Sequence, residues 1–145
     1  MDAPEPTLVN RRAVTIEWGD CDPAGIVFYP RYFAIFDAST AALFAVALGE
    51  PKIRWTARFG IVGIPMVDTR AKFSVPSAYG DVVVIESRVT AFRRSSFDVR
   101  HRLVRADGAT GVEGFETRVW VGRDPADAAR IKAVPIPAEV VAAFR

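Results

Sequence analysis

Hydrophobic and polar residues alternate near the start of the chain, and a helical pattern follows. Val14, Ile16 and Trp18 share one face of the segment 11–19, with polar residues between them, which predicts a half-buried strand. From residue 30 to residue 48 nearly every position is apolar or small. A pattern of that length and composition predicts a helix that is buried on every side.

The ends of this helix are marked by residues with well-defined conformational preferences. Pro30 fits the first turn, where its missing N–H costs nothing. Gly49 is a natural C-cap, and Pro51 prevents continuation. Because one sheet cannot cover a helix on all sides, the pattern also predicts a homodimer or a larger assembly.

The second half of the chain is dominated by strand patterns with turn residues between them. We predict strands over 66–75, 81–93, 95–105 and 112–122, then a loop over 124–130, a short strand over 131–134 and a terminal helix over 137–144. One long helix followed by successive strands predicts an α+β fold in which an antiparallel sheet curls around the helix. Residues 1–10 are predicted to be a flexible tail and 11–145 a single domain.

Composition narrows the possible environments and partners. The 145 residues are 50% hydrophobic and carry a net charge of +2. No run of five Lys or Arg residues exists, so nucleic acid is not an expected partner. The longest apolar run, 41–48, is too short to cross a bilayer, and no signal-peptide pattern opens the chain, so we expect a cytoplasmic protein. Cys21 is the only cysteine, which excludes an intrachain disulfide.

The turn between the first strand and the helix concentrates the candidate chemistry. It holds Asp20, Asp22 and Gly25, and it precedes a helix N-terminus, where free backbone N–H groups can bind an oxyanion. A carboxylate beside such donors can attack a carbonyl or activate water, and Gly25 would let a substrate approach the backbone closely. The alternative is that one aspartate only caps the helix. Residue chemistry alone leaves Asp20 and Asp22 both open, with Pro23 slightly favouring Asp22.

Asp37 is an ionisable residue in the middle of the apolar helix. It could form a buried ion pair with an arginine, lie at a dimer seam, or form the base of an acyl pocket. Residues 30 and 37 are about 10 Å apart along a helix axis. A carbonyl held at the helix N-terminus would therefore place the para-hydroxyl of a benzoyl group near Asp37.

Cys21, His101 and the pair Arg93 and Arg94 are further candidates for chemistry or binding. Cys21 lies between two carboxylates that disfavour its thiolate, so a structural cysteine is expected. His101 is the only histidine and is expected at the surface or an interface, and one His with one Cys makes a zinc site implausible. Arg93 and Arg94 stand beside serines, which suits either a phosphate site or a solvated strand end.

The segment WGDCDPAGIVFYPRY, residues 18–32, closely resembles the signature of the 4-hydroxybenzoyl-CoA thioesterases of the hotdog fold. The resemblance extends over most of the chain and includes Asp37, GIVGIP at 60–65, RRSSF at 93–97 and RH at 100–101. It implies a long helix wrapped by a curved antiparallel sheet, dimerisation edge to edge and often further pairing to a homotetramer. It also implies hydrolysis of an acyl-CoA without a metal or cofactor.

The resemblance assigns roles to individual residues. Asp22 maps onto the catalytic carboxylate and the backbone N–H of Tyr29 onto the group that polarises the thioester carbonyl. Asp37 maps onto the residue that accepts a hydrogen bond from the phenol. Gly25 and Ile64 are also expected to bind the substrate, with Ile64 in the acyl or pantetheine pocket. The residues expected to contact CoA are Arg93, Arg94 and Ser95. Ser95 replaces a lysine and Ile64 a threonine of the family pattern, which affects the expected substrate more than the expected reaction.

The function predicted from the sequence is hydrolysis of an aryl-CoA thioester, with 4-hydroxybenzoyl-CoA as the first choice. The alternatives are a thioesterase for another aryl- or short-chain acyl-CoA and a non-catalytic acyl-CoA-binding protein. A hydratase is disfavoured because the single histidine is not close to the motif in the sequence. No membrane partner is expected.

Overall fold

The computed structural model of the protein describes residues 5–145. Its elements are β1 (Asn10–Thr15), a short 3-10 helix (Trp18–Asp20), α1 (Pro30–Leu48), α2 (Lys52–Phe59), β2 (Met66–Phe73), β3 (Val82–Phe92), β4 (Ser96–Val104), β5 (Thr110–Val119), β6 (Val121–Asp124), β7 (Asp127–Ala133) and α3 (Ala138–Ala142).

The main sheet has five strands in the order β1-β3-β4-β5-β2, and all its pairings are antiparallel. The long helix α1 follows β1 and precedes β2 in the sequence, and it covers one face of this sheet. Side chains in β3 alternate as the pattern predicts, with Val83, Ile85, Ser87 and Val89 buried. The predicted α+β class, with one long helix on an antiparallel sheet, is confirmed.

The helix α1 begins and ends where the sequence predicts. Pro30 occupies the first helical position, and Gly49 ends the helix in the left-handed region at φ 73°. The helix is long and apolar enough to resemble a membrane span by composition. Leu43 and Phe44 are nevertheless completely buried within this chain, as expected for a core helix.

The prediction that α1 is buried on every side is wrong for the single chain. Arg31, Ala34, Asp37, Ala38 and Val46 are exposed. The error arises because alanine counts as apolar in the pattern, whereas an alanine-rich helix face can remain uncovered.

Two further predictions differ from the structure. The pattern predicts Trp18 on the buried face of the first strand, but β1 ends at Thr15 and the Trp18 side chain is 65% exposed. The loop predicted over 124–130 is instead a β-hairpin, because β6 and β7 pair across a tight turn between Asp124 and Asp127. The short strand predicted over 131–134 is the end of β7.

The start of the chain is held more closely than a flexible tail would be. The backbone N–H groups of Thr7 and Leu8 donate to the carbonyl of Phe144, with N···O distances of 2.7 and 2.9 Å. Asn10 already belongs to β1, so ordered structure begins before residue 11. Residues 1–4 of the predicted tail lie outside the described residues, and the single domain over 11–145 stays a prediction.

The core consists of two clusters at opposite ends of α1. One surrounds the turn before the helix and includes Ile16, Val27, Tyr32 and Phe36. The other surrounds the last turns of the helix and is rich in aromatic residues, namely Phe44, Trp55, Phe97, Trp120 and Phe144. The strand β3 joins the two ends, and its eleven residues span about 33 Å at a rise of about 3.3 Å per residue.

Candidate active site

The turn that carries Asp22 is fixed by its own backbone. The N–H of Asp22 donates to the carbonyl of Ile26 at 2.9 Å, and the carbonyl of Asp22 accepts from Gly25 at 2.9 Å. One side-chain oxygen, Oδ1, accepts from the N–H of Ala24 at 2.8 Å. The other oxygen, Oδ2, has no hydrogen bond with the described residues.

Gly25 is required by the backbone conformation of this turn. Its φ is 79°, in the left-handed region that other residues rarely adopt. A Cβ at this position would meet nothing within 4 Å. The conformation, rather than crowding inside this chain, therefore explains the glycine.

Asp20 and Asp22 each accept a backbone N–H of their own turn through one side-chain oxygen, so the slight preference of the sequence for Asp22 stays a prediction. Oδ2 of Asp20 accepts from the backbone N–H of Glu17 at 2.9 Å, and the carbonyl of Asp20 accepts from Phe28 at 2.8 Å. Asp20 therefore stabilises the 3-10 turn locally.

Cys21 lies between these aspartates and is partly buried. Burial, followed by the charges of Asp20, Asp22 and Asp81, raises the pKa of the thiol. The thiol contacts the carbonyl oxygen of Glu17 at 3.5 Å. A raised pKa disfavours the thiolate and so disfavours a nucleophilic cysteine.

The start of α1 leaves one backbone donor free. Pro30 has no N–H, while the N–H groups of Arg31 and Tyr32 donate to Phe28 and Tyr29 at 2.8 and 3.1 Å. The N–H of Tyr29 has no acceptor among the described backbone and side-chain groups. At a helix N-terminus such a donor, supported by the helix dipole, is suited to an oxyanion.

Beside Tyr29 is an open, largely apolar cavity of about 210 Å³. It is lined by side chains from the turn, α1 and the end of β2, including Ile26, Tyr29, Tyr32 and Phe73. The ring of Phe73 lies 6.4 Å from that of Tyr29 and 5.7 Å from that of Tyr32. Neither Asp22 nor Asp37 lines this cavity in the single chain.

Asp37 lies on the exposed face of α1 and forms an ion pair with Arg118 of the underlying sheet. Its side chain is 64% exposed, and Oδ1 accepts from Nη2 of Arg118 at 2.8 Å. The Arg118 side chain, on the inner face of β5, is only 5% exposed. The two structural alternatives for Asp37, an arginine pair and an exposed position, are thus both present.

Sequence reasoning missed both Arg118 and Glu116, and Glu116 lies behind this pair. Glu116 accepts from Nε of Arg118 at 2.9 Å and lies 3.3 Å from Nε2 of His101. Burial would raise the pKa of Glu116, but the hydrogen bonds from His101 and Arg118 outweigh it and lower the pKa to about 2. A sequence signal existed, because Glu116 and Arg118 occupy inward positions of an alternating strand.

His101 corrects the expectation of a surface or interface histidine. It is completely buried, and its ring stacks on that of Phe36 at 4.9 Å. The sequence misled because polar neighbours, Arg100 and Arg102, flank it. In a strand those neighbours point to the opposite face of the sheet.

The three residues predicted to contact CoA have different environments in the structure. The guanidinium of Arg93 pairs with both carboxylate oxygens of Asp98, at 3.0 and 2.7 Å, and its Nε donates to Ser96 at 2.8 Å. Arg94 is exposed, and its guanidinium pairs with no carboxylate of residues 5–145. Ser95 is half-buried and binds Trp120 through its carbonyl. Arg94 is therefore the arginine available for a phosphate.

Ile64 occupies a different environment from the one expected. Its side chain is buried in the aromatic-rich core cluster, so it cannot line an acyl pocket within this chain. Its backbone carbonyl accepts from Nη1 of Arg118 at 3.1 Å. Ile64 thus contributes to the Asp37 region through its backbone.

The single chain brings together some of the predicted residues and keeps others apart. Asp22, Gly25 and Tyr29 share one end of the sheet, whereas Arg94 lies in the turn after β3, a strand length away. No cluster of three metal-ligating side chains occurs within residues 5–145.

Comparison with known proteins identifies the family and the fold. The thioesterase-like superfamily matches residues 16–144. The 4-hydroxybenzoyl-CoA thioesterase of Pseudomonas sp. strain CBS-3 is 37% identical over 131 residues, covering 87% of this chain and 90% of that protein. The chain therefore belongs to the thioesterase-like superfamily and is a hotdog-fold acyl-CoA thioesterase.

Solved structures agree with this assignment. The structure of a mutant 4-hydroxybenzoyl-CoA thioesterase complexed with 4-hydroxybenzoyl-CoA superimposes with a TM-score of 0.85, at 33% identity, covering 94% of this chain and 99% of that one. A gentisyl-coenzyme A thioesterase gives a TM-score of 0.76 at 29% identity, covering 90% and 98%. The resemblance to 4-hydroxybenzoyl-CoA thioesterases seen in the sequence is confirmed.

Proposed function

We propose that this thioesterase hydrolyses 4-hydroxybenzoyl-CoA to 4-hydroxybenzoate and CoA. The observation that carries the proposal is the placement of Asp37, whose carboxylate is exposed about two helical turns beyond the free N–H of Tyr29. One carboxylate oxygen is held by Arg118. The other can accept a hydrogen bond from a para-hydroxyl group.

Asp22 and Tyr29 supply the chemistry in this proposal. The N–H of Tyr29 polarises the thioester carbonyl and binds the oxyanion as it forms. Asp22 either attacks the carbonyl carbon, giving an anhydride that water then hydrolyses, or removes a proton from the attacking water. In both routes the C–S bond breaks, and the CoA sulfur leaves as a thiolate that takes up a proton.

The molecule is further proposed to act as a homodimer, with pairing of dimers into a tetramer. The edge strand β2 is exposed along nearly its whole length. It adjoins an exposed aromatic patch formed by Phe28, Tyr29 and Phe73. A second copy placed on this edge would enclose the open cavity beside Tyr29 and bring cover to Asp37.

CoA phosphates are proposed to bind Arg94 and Ser95. A strand length of about 33 Å separates Arg94 from the Asp22 end of the same chain, so Arg94 is proposed to serve the site of a neighbouring subunit. A cytoplasmic location stays a prediction from the sequence.

A hydrolysis panel tests the proposed substrate. Release of free CoA thiol would be followed with 4-hydroxybenzoyl-, benzoyl-, gentisyl- and short-chain acyl-CoA. We expect the highest kcat/KM with 4-hydroxybenzoyl-CoA. A higher kcat/KM with gentisyl-CoA, whose ring carries no para-hydroxyl, would overturn the assignment of the acyl group, and substrate binding without thiol release would overturn the proposed roles of Asp22 and Tyr29.

A further inference from the structure

A chain of polar side chains runs through the otherwise apolar core beneath α1. It consists of Ser87 on β3, His101 on β4, Glu116 and Arg118 on β5, and Asp37 on α1. All but Asp37 are buried. Buried charges are costly unless they are paired and hydrogen-bonded, so a network placed here needs an explanation beyond stability.

The links of this chain are hydrogen bonds, except that His101 and Glu116 are joined through the hydroxyl of Thr40, which lies 3.0 Å from Nε2 of His101. Nδ1 of His101 lies 2.7 Å from the hydroxyl of Ser87, and Nε2 lies 3.3 Å from Oε2 of Glu116. The hydroxyl of Thr40 donates to Oε1 of Glu116 at 2.6 Å. A neutral His101 with its proton on Nε2 satisfies these groups, because Ser87 then donates to Nδ1.

Arg118 is the member of the chain that reaches the substrate side. Its guanidinium makes three donations in three directions, to Glu116, to the carbonyl of Ile64 and to Asp37, at 2.9, 3.1 and 2.8 Å. Three contacts fix a planar fork in one orientation. The guanidinium therefore holds Asp37 in one place while leaving Oδ2 without a partner among the described residues.

We infer that Arg118, fixed by Glu116, is a positioning residue that presents Asp37 as a hydrogen-bond acceptor and so selects acyl groups with a neutral donor at their far end. The inference rests on the proposed role of Asp37. A para-hydroxyl or para-amino group can donate to Oδ2. A para-carboxylate would meet a like charge and have no proton to donate, so it is rejected.

The charges of the network support this selection. Glu116 and Arg118 form a neutral buried pair, and Asp37 adds one negative charge at the surface end. Without Arg118, the Asp37 carboxylate would be free to rotate on an exposed helix face. The Asp37 side chain would then be present without a fixed direction. The site would lose its discrimination between acyl groups but keep its hydrolytic activity.

The test compares kcat and KM for four substrates: 4-hydroxybenzoyl-, 4-aminobenzoyl-, 4-carboxybenzoyl- and unsubstituted benzoyl-CoA. The variants are Arg118→Lys, Asp37→Asn, the paired change Glu116→Gln with Arg118→Met, and Asp37→Asn combined with Arg118→Lys. The paired change removes both buried charges together, which folding tolerates better than removal of one. Circular dichroism and thermal unfolding would select the folded variants.

The wild type should prefer the hydroxy and amino substrates over benzoyl-CoA and reject the carboxy substrate. The paired variant should lose about 10- to 100-fold of this preference, mainly through KM, as expected for loss of a hydrogen bond to a charged group. Kinetics with benzoyl-CoA should change little. Arg118→Lys, which keeps the charge but not the fork, should retain part of the preference that the paired variant loses.

A double-mutant cycle separates positioning from a general structural effect. If Arg118 acts through Asp37, then Arg118→Lys should have no further effect on the preference in the Asp37→Asn background. As a matched control, Glu86→Gln with Arg102→Met removes an ion pair on the outer face of the same sheet. This double substitution should leave the preference for the hydroxy and amino substrates unchanged.

The outcomes distinguish this inference from the proposed function. Loss of the preference in Asp37→Asn but not in the Arg118 variants would overturn the inference and leave the function standing. Additive losses would overturn it as well. A wild type without preference for the hydroxy substrate would overturn the proposed acyl group and the inference together.

Discussion

At the scale of single residues, three aspartates near the start of α1 have three different environments. Asp20 accepts from the backbone N–H of Glu17, Asp22 from that of Ala24, and Asp37 from the guanidinium of the buried Arg118. All three have the same intrinsic chemistry. Each keeps one carboxylate oxygen without a partner among residues 5–145, so the roles proposed for Asp22 and Asp37 depend on where each carboxylate lies.

Replacing Asp22 with Asn should lower kcat by about 10²- to 10⁴-fold or more, because the amide can neither attack nor accept a proton. KM should change little, since the side chain keeps its shape. Steady-state kinetics measure both. Asp20→Asn is the matched control and should reduce stability while largely preserving kcat. Comparable turnover losses in the two variants would contradict the division between Asp20 and Asp22.

Glu116 gives the fold a predictable acid sensitivity. Its pKa in the folded state is about 2, below the value of about 4.3 expected in an unfolded chain. The depressed pKa contributes stability that is complete above the unfolded value and is lost as the pH falls towards 2. The contribution at neutral pH is on the order of 3 kcal/mol.

Urea unfolding between pH 7 and pH 2 measures this contribution. The stability difference between wild type and Glu116→Gln should be largest at neutral pH and should shrink below pH 4.5. Glu139→Gln, an exposed substitution on α3, is the control and should follow the wild type. A difference that stays constant down to pH 2 would contradict the proposed ionisation of Glu116.

At the scale of elements, α1 is seated on the sheet by a close contact in its middle. Phe36 packs directly over Gly114 of β5, where a Cβ would lie 2.6 Å from the ring. The ring of Phe36 also stacks on that of His101. This contact fixes the depth and rotation of the helix, and therefore where Asp37 emerges.

Gly114→Ala should destabilise the fold by about 1–3 kcal/mol, because the added methyl forces Phe36 out of its position. It should also weaken the preference for 4-hydroxybenzoyl-CoA by shifting Asp37. Chemical unfolding and substrate kinetics check the two effects. Gly19→Ala, where a Cβ meets nothing within 4 Å, should change stability by less than about 0.5 kcal/mol. Equal stability of the two variants would contradict the role of this contact.

At the scale of the whole molecule, one side of the chain lacks cover. The edge strand β2, the alanine-rich face of α1 and the aromatic patch beside Tyr29 are all exposed. Uncovered sheet edges readily pair with another chain. The exposed side and the candidate active site coincide, so we expect assembly and activity to depend on each other.

Val67→Lys should weaken the proposed dimer by placing a charge on the β2 edge, where the valine is 63% exposed. Sedimentation velocity should show a shift to monomer, with a parallel loss of kcat/KM. Ile131→Lys on β7, also exposed, is the control and should leave the mass unchanged. A wild type that sediments as a monomer would contradict the proposed assembly.

The sequence determined the local features. Pro30 and Gly49 set the ends of α1 and alternation set the strands, because these depend on neighbouring residues and on backbone preferences. The motif around Asp22 indicated the reaction through its resemblance to the 4-hydroxybenzoyl-CoA thioesterases. Only the tertiary structure decided how distant residues meet. It buried His101, paired Arg118 with Asp37, tied Arg93 to Asp98 and left Arg94 free. His101 and Arg118 contact residues far away in the sequence, so no local pattern could encode those contacts, whereas Arg93 and Asp98 meet across a single turn.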